Sequence, residues 1–320
     1  MKKRVHLHQL RIGMFVEKVE GRGCDRRECP GGFWIRTLEQ IERISHCNAM
    51  SAVINVDKGR DIDGKSISEF SHAQIDHEAE LLRDFSPEEI EQAKSTIAIT
   101  APKIRELLLS VHSHGTINMV SATETVGEII RSTSGQSAVL IGLTRLKSRD
   151  AGTFIHSLAV SALMITFGWS LGLGDDTVEL LGIGGLLHDI GKMTIPIAIL
   201  NKSSKLDEKE FQVIRSHPNR GYHLLAQIKD LSPLILDVCK HHHEKYDGSG
   251  YPDGLVGEDI PFSARIATIC DVYDALMTIR PYKKAWNQAQ TLEFMLNTNG
   301  NFDPILLREF MSHLVIGGEI

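Results

Sequence analysis

Aromatic residues are scarce in this chain, at 6% of the total. A groove that grips single-stranded nucleic acid by stacking base after base needs more of them, so that class is disfavoured. An excess of positive charge is missing too. The formal net charge is -6 over 320 residues, which offers no broad attraction for a DNA or RNA polymer. A small nucleotide ligand stays open, because a local metal or basic pocket can override the global sign. Cysteines number five, Cys24, Cys29, Cys47, Cys239 and Cys270. An odd, scattered set in a chain of this size argues against a disulfide scaffold. Cys24 and Cys29 bracket a charged loop, a weak signal for a metal or redox pair. No run is read as reaching the ~18 apolar residues that cross a bilayer. The basic start Met1-Lys2-Lys3-Arg4 is followed by Val5-His6-Leu7-His8-Gln9, without the apolar core of a signal peptide. These absences lead us to expect a cytoplasmic protein with no membrane partner.

What remains is ordinary globular material, 42% hydrophobic and 24% charged, enough for two or three packed units. Up to about Asp63 the chain reads as strand-rich. Gly13–Val19 alternates partially, and Ser51–Val56 runs into the turn Asp57-Lys58-Gly59. A small α+β or β domain is expected over residues 1–63. Residues 64–118 read as a linker and connecting helices, polar and aperiodic from Gly64 to Asp84. Ser86-Pro87-Glu88-Glu89 opens a helix, with an interruption expected at Pro102. A plain packing role suits that helix better than dimerisation, although a homodimer stays open. Beyond it the pattern is helices and short loops, with starts at Asp207 and Ser232-Pro233. The expected fold class is mainly α, with an all-helical domain over residues 119–320.

Fifteen histidines are present, and their placement carries the chemistry. In Leu186-Leu187-His188-Asp189-Ile190-Gly191-Lys192, two adjacent metal-capable groups end an apolar helix. Neighbouring helical side chains point about 100° apart, so the imidazole can bind one ion while the carboxylate bridges two. His242-His243 can likewise reach two ions. Asp271 lies among Ile266, Ala267, Ile269 and Cys270, where an unpaired carboxylate would be costly. Each residue has a plainer reading alone. His156 fits a hydrogen-bonded core histidine, and His217 a helix C-cap favoured by the dipole. Asp271 fits an ion-pair partner of Arg265, and His242-His243 a solvated helix end.

Their joint order changes the weighing. His188-Asp189-Ile190-Gly191-Lys192, His217-Pro218 with Gly221, His242-His243-Glu244, Asp247-Gly248-Ser249-Gly250-Tyr251-Pro252-Asp253-Gly254, Ala264-Arg265-Ile266, Asp271, Tyr273-Asp274-Ala275 and Arg280-Pro281-Tyr282 follow in sequence. Over roughly residues 120–315 the chain resembles the HD-GYP family of HD-domain phosphohydrolases. The resemblance implies hydrolysis of cyclic di-GMP to linear pGpG, with further cleavage to GMP open. It implies metal ligands at His156, His188, Asp189, His217, His242, His243 and Asp271, with Asp274 steadying them. It gives Lys192 a catalytic as well as a phosphate-binding place, Arg280 a phosphate contact, and Tyr251 a place in the pocket wall. Two divalent transition-metal ions are implied, iron or manganese by family habit. A third ion is disfavoured, because Gly152 stands where some members carry a glutamate. Lys283 replaces a frequent arginine. Leu10-Arg11-Ile12-Gly13-Met14-Phe15-Val16 is similar to a domain of unknown function often placed before HD-GYP domains. Diguanylate cyclases or other signalling proteins are candidate partners by the same resemblance. Two alternatives stay beside it: a general HD nucleotide phosphohydrolase, and a non-catalytic receptor or interaction module.

Overall fold

A computed structural model describes residues 2–6, 10, 13–20, 32–35, 40–41, 44, 51–55, 58, 85–134, 137–145, 152–200, 202, 204–278 and 288–316. Cys24, Cys29, Cys47 and Arg280 lie outside these residues. The chain forms two compact units, Met1–His72 and Ala73–Ile320.

The first unit holds a four-stranded antiparallel sheet of β1 (Lys2–His6), β2 (Phe15–Glu20), β3 (Phe33–Trp34) and β4 (Ser51–Asn55), in the order β1-β4-β2-β3. Its core gathers Val5, Met14, Val16, Val19, Ile35, Ala52 and Ile54. The register of β2 against β4 shifts between Val16 and Lys18. That irregularity lets Val16 and Val19, three positions apart, both be buried, which strict alternation forbids.

Among the described residues the second unit is helical: α1 (Pro87–His114), α2 (Met119–Thr133), α3 (Ser137–Thr144), α4 (Gly152–Ser170), α5 (Asp175–Leu187), α6 (Ile197–Leu200), α7 (Glu208–Arg215), α8 (His217–Leu225), α9 (Pro233–His241), α10 (Phe262–Met277), α11 (Gln288–Asn297) and α12 (Pro304–Glu309). A 3₁₀ turn at Ile190–Thr194 follows α5. Ser86 caps α1 with a reciprocal Glu89 bond, and Asp207 with Glu210 does the same for α7.

Two expectations need correction. The helix at Ser86 continues through Pro102 without a break. Ile90 and Ala93 before the proline and Ile104, Leu107 and Leu108 after it join one core, and that shared burial outweighs the missing backbone donor. The segment Thr153–Ser170 of α4 is also apolar enough by composition to span a bilayer, with mean hydropathy 1.3. It is instead the central core helix, 72% buried, with α3, α5 and α10 packed around it. Gly185 allows the close crossing of α4 and α5, since a Cβ there would fall 2.9 Å from the Ser161 Cα.

Candidate metal centre

The metal-capable groups named from the sequence stand at helix ends and within helices around this core. His188 follows the last residue of α5, and Asp189 caps the 3₁₀ turn. His217 opens α8 directly after α7 ends at Arg215 and Ser216. His242 and His243 follow α9, whereas His156 and Asp271 lie inside α4 and α10. Gly191 makes this convergence possible, because a Cβ there would lie 1.9 Å from the His217 carbonyl oxygen. Only glycine lets the turn bearing Asp189 rest on the backbone of α8.

Two groups of donors result. Asp189, His217, His242 and His243 form one, and His156, His188 and Asp271 the other, the ligand atoms within each lying within 4.8 Å of one another. Asp189 links them. Its Oδ1 faces the Nε2 atoms of His217 at 3.1 Å and His242 at 3.8 Å. Its Oδ2 faces the Nε2 atoms of His188 at 3.3 Å and His156 at 3.9 Å. His156 Nε2 also stands 3.1 Å from Asp271 Oδ1.

Backbone carbonyls fix the tautomers. A carbonyl oxygen only accepts, so each Nδ1 that bonds to one must carry the proton. His188 Nδ1 donates to Gly185 O at 2.7 Å, and His217 Nδ1 to Ile214 O at 2.7 Å. His242 Nδ1 donates to the carbonyls of Val238 and Cys239 at 3.1 and 3.0 Å. The Nε2 lone pairs therefore point inward, and the Nε2 atoms of His217 and His242 lie 3.3 Å apart. His188 Nε2 and Asp189 Oδ1 are buried without a hydrogen-bond partner. His156 differs: its Nδ1 faces the Asp274 carboxylate at 2.7 Å. Such outer partners orient metal-binding histidines.

The electrostatics agree. Burial lowers the proton affinity of His242, and the neighbouring His243, His188 and His217 lower it further. Burial likewise takes His243 down to about 4. Asp189 is held well below the usual carboxylate range. Burial opposes this, but the charge of Lys192 beside it outweighs burial. Asp271 is also depressed, against burial, by its bond to His156. Burial alone would lower His156, yet Asp271 and Asp274 raise it to about 9. Ionised carboxylates beside the inward lone pairs of His188, His217 and His242, with polar atoms left unpaired, form a donor set that fits divalent transition-metal cations.

The plainer readings can now be checked. Arg265 pairs with Asp303 at 2.6 Å, so Asp271 is not its partner. His242 is buried rather than solvated. His217 does bond a carbonyl near the end of α7, and its other nitrogen still points into the cluster. Lys192 Nζ contacts Asp189 Oδ2 at 2.5 Å. The Tyr251 ring lies 4.9 Å from that of His243, and burial raises its phenol, keeping it protonated.

Two residues were given no role from the sequence. Glu244 is fully buried, and its Oε1 accepts the backbone N–H groups of Asp253 at 2.7 Å and Gly254 at 3.1 Å. It ties the glycine-rich loop to the His242-His243 segment. Its place right after the histidine pair was a readable signal. Arg215 lies over the Tyr251 ring at 4.4 Å, a pairing across 36 residues that no local pattern announces.

Comparison with known proteins accords with this geometry. Residues 108–306 match the family profile of the HD domain, and residues 2–122 match a domain of unknown function, DUF3391. The cyclic di-GMP phosphodiesterase PA4108 of Pseudomonas aeruginosa is 38% identical over 97% of this chain and 76% of its own length. The cyclic di-GMP phosphodiesterase response regulator RpfG of Xanthomonas campestris pv. campestris is 42% identical over 50% of the chain and 43% of its own length. A 3'3'-cGAMP-specific phosphodiesterase 2 of Vibrio cholerae is 34% identical over 61% of the chain, which spans 36% of that relative. In fold the chain is similar to Bd1817, an HDG"Y"P protein from Bdellovibrio bacteriovorus, with a TM-score of 0.58 and 17% identity over 98% of this chain and 99% of that one.

Proposed function

The chain belongs to the HD domain family, in its HD-GYP branch, and from that membership we propose that it is a metal-dependent phosphodiesterase that opens cyclic di-GMP. One observation carries the reading furthest: the two oxygens of Asp189 address different donor groups, as a bridging carboxylate must. Near-full-length similarity to a cyclic di-GMP phosphodiesterase supports the substrate.

His217, His242 and His243 would hold one divalent ion, and His156, His188 and Asp271 the other, with Asp189 shared and Asp274 steadying His156. Two such ions, iron or manganese, would supply water activation and neutralise charge at phosphorus. The remaining work belongs to the chain. Lys192 offers a point charge beside Asp189 that would counter the charge growing on the oxygens of the scissile phosphate. Tyr251, protonated and packed on His243, bounds the pocket and can donate to a phosphate oxygen. Arg280 would contact phosphate as well. The product is linear pGpG, and GMP if a second cleavage follows. Catalysis belongs to residues 119–320, with residues 1–63 a separate small domain.

Anaerobic purification, metal quantification and chromatography of cyclic di-GMP digests test this. We expect the wild type to consume the substrate and Asp189→Ala to lose more than ~100-fold, beyond the roughly 10–100-fold of an outer partner. Absence of turnover with about two ions bound per chain would defeat the assignment. The relatives named for 3'3'-cGAMP make that dinucleotide the control substrate.

A further inference from the structure

A cyclic dinucleotide carries two phosphodiesters. While one is being cleaved, the other remains an anion that needs its own partner. Lys192, beside Asp189, is assigned to the scissile phosphate, and Arg280, which would contact phosphate as well, lies outside the described residues. A further cation stands over Tyr251 of the glycine-rich loop. Arg215 ends α7, two residues before His217, and is half-buried. Its guanidinium lies 4.4 Å from the Tyr251 ring centroid, and Tyr251 lies 4.9 Å from His243, with 31° between the ring planes. Arg215, Tyr251 and His243 thus follow one another in space, ending at the donor cluster.

The pairing leaves the arginine charge unspent. Among the described residues no carboxylate pairs with Arg215, and its side chain makes no hydrogen bond. A cation–π contact supplies no anion, so the guanidinium and its N–H fork stay available to an anionic ligand. That fork matches two oxygens of a phosphate, which a lysine ammonium cannot do. A helix-end arginine held only by the helix dipole would have no reason to lie on the loop that borders the donor cluster. By contrast, the nearby Arg220 spends its donors on Ser216 Oγ and Thr194 O.

We propose that Arg215, held over Tyr251, binds the phosphate of the cyclic dinucleotide that is not being cleaved. This rests on the hydrolase reading above and adds to it a second anion subsite. Tyr251 acts there as the platform that fixes the direction of the fork. The loop that carries Tyr251 is held by Glu244, so the subsite and the His242-His243 segment share one anchor.

The test uses the metal-loaded full chain and steady-state hydrolysis of cyclic di-GMP. Arg215→Met keeps an apolar contact on the ring and removes the charge and the fork. Arg215→Lys keeps the charge alone. Lys209→Ala, an exposed position on the same helix, controls for lost charge. Expected is a rise in KM of about 10- to 100-fold for Arg215→Met, the range of a hydrogen bond to a charged group. The kcat should change far less, and bound metal and melting temperature should stay at wild-type values. Arg215→Lys should recover part of the loss, and Lys209→Ala should match wild type. A KM for Arg215→Met equal to that of wild type would overturn the inference. So would a KM rise that comes with lost metal. If the wild type turns over no cyclic di-GMP, the hydrolase reading has failed by itself. Calorimetry of cyclic di-GMP with wild type and Arg215→Met then decides the subsite. Weaker binding by the variant supports it, and equal binding or none by either overturns it.

Discussion

The two donor groups that share Asp189 are built in different ways. In the Asp189–His217–His242–His243 group every residue stands at or beside a helix end. The Nδ1 atoms of His217 and His242 are pinned by carbonyls three or four residues back. Local chain direction alone aims these rings. In the His156–His188–Asp271 group, His156 and Asp271 sit within long helices, and the orientation of His156 depends on Asp274, 118 positions away. The first arrangement is written into turns of the backbone. The second exists only when α4 and α10 are packed together. Water also reaches them unequally: the side chains of His156 and Asp271 are 14% and 13% exposed, against 1% for His217.

Three substitutions probe that contrast. Gly191→Ala should act most strongly, because its methyl would collide with the His217 carbonyl and prise the Asp189 turn from α8. We expect a loss of about 1–3 kcal/mol or more in chemical denaturation, with turnover lost. Wild-type stability would show that the two backbones separate freely. Asp274→Asn should be milder and one-sided. It removes the charge beside His156 without touching the other group. Native mass spectrometry should then find about one ion per chain in place of two, with affinity at the His156 group down roughly 10–100-fold. Equal loss of both ions would erase the distinction. Thr268→Val should matter least. It deletes one donor to the His242 carbonyl at 3.0 Å, worth about 1 kcal/mol in thermal or chemical unfolding, with metal content unchanged.

The same contrast explains what could be read in advance. Helix starts at Ser86 and Asp207 announced themselves through capping residues, since those bonds span three positions. The seven donor positions were named from their order along the chain, and the structure brings their side chains together. Arg215 over Tyr251 had no such signal, because its meaning arises only when α7 meets the glycine-rich loop. The alternation in β2 read as partial for a physical reason, the shifted register between Val16 and Lys18. Pro102 misled because local rules weigh a residue against water, whereas this segment faces other helices.

The unpaired inward-facing atoms, His188 Nε2 and Asp189 Oδ1, have a thermodynamic consequence. In the absence of cations, the Asp189 carboxylate and the lone pairs of His188, His217 and His242 confront one another in a space from which water is largely shut out. Each bound ion relieves that confrontation and favours the folded chain over the unfolded one by about 2.7 kcal/mol when supplied at a hundred times its dissociation constant. Added divalent metal should therefore raise the melting temperature of the purified chain, and chelation should lower it.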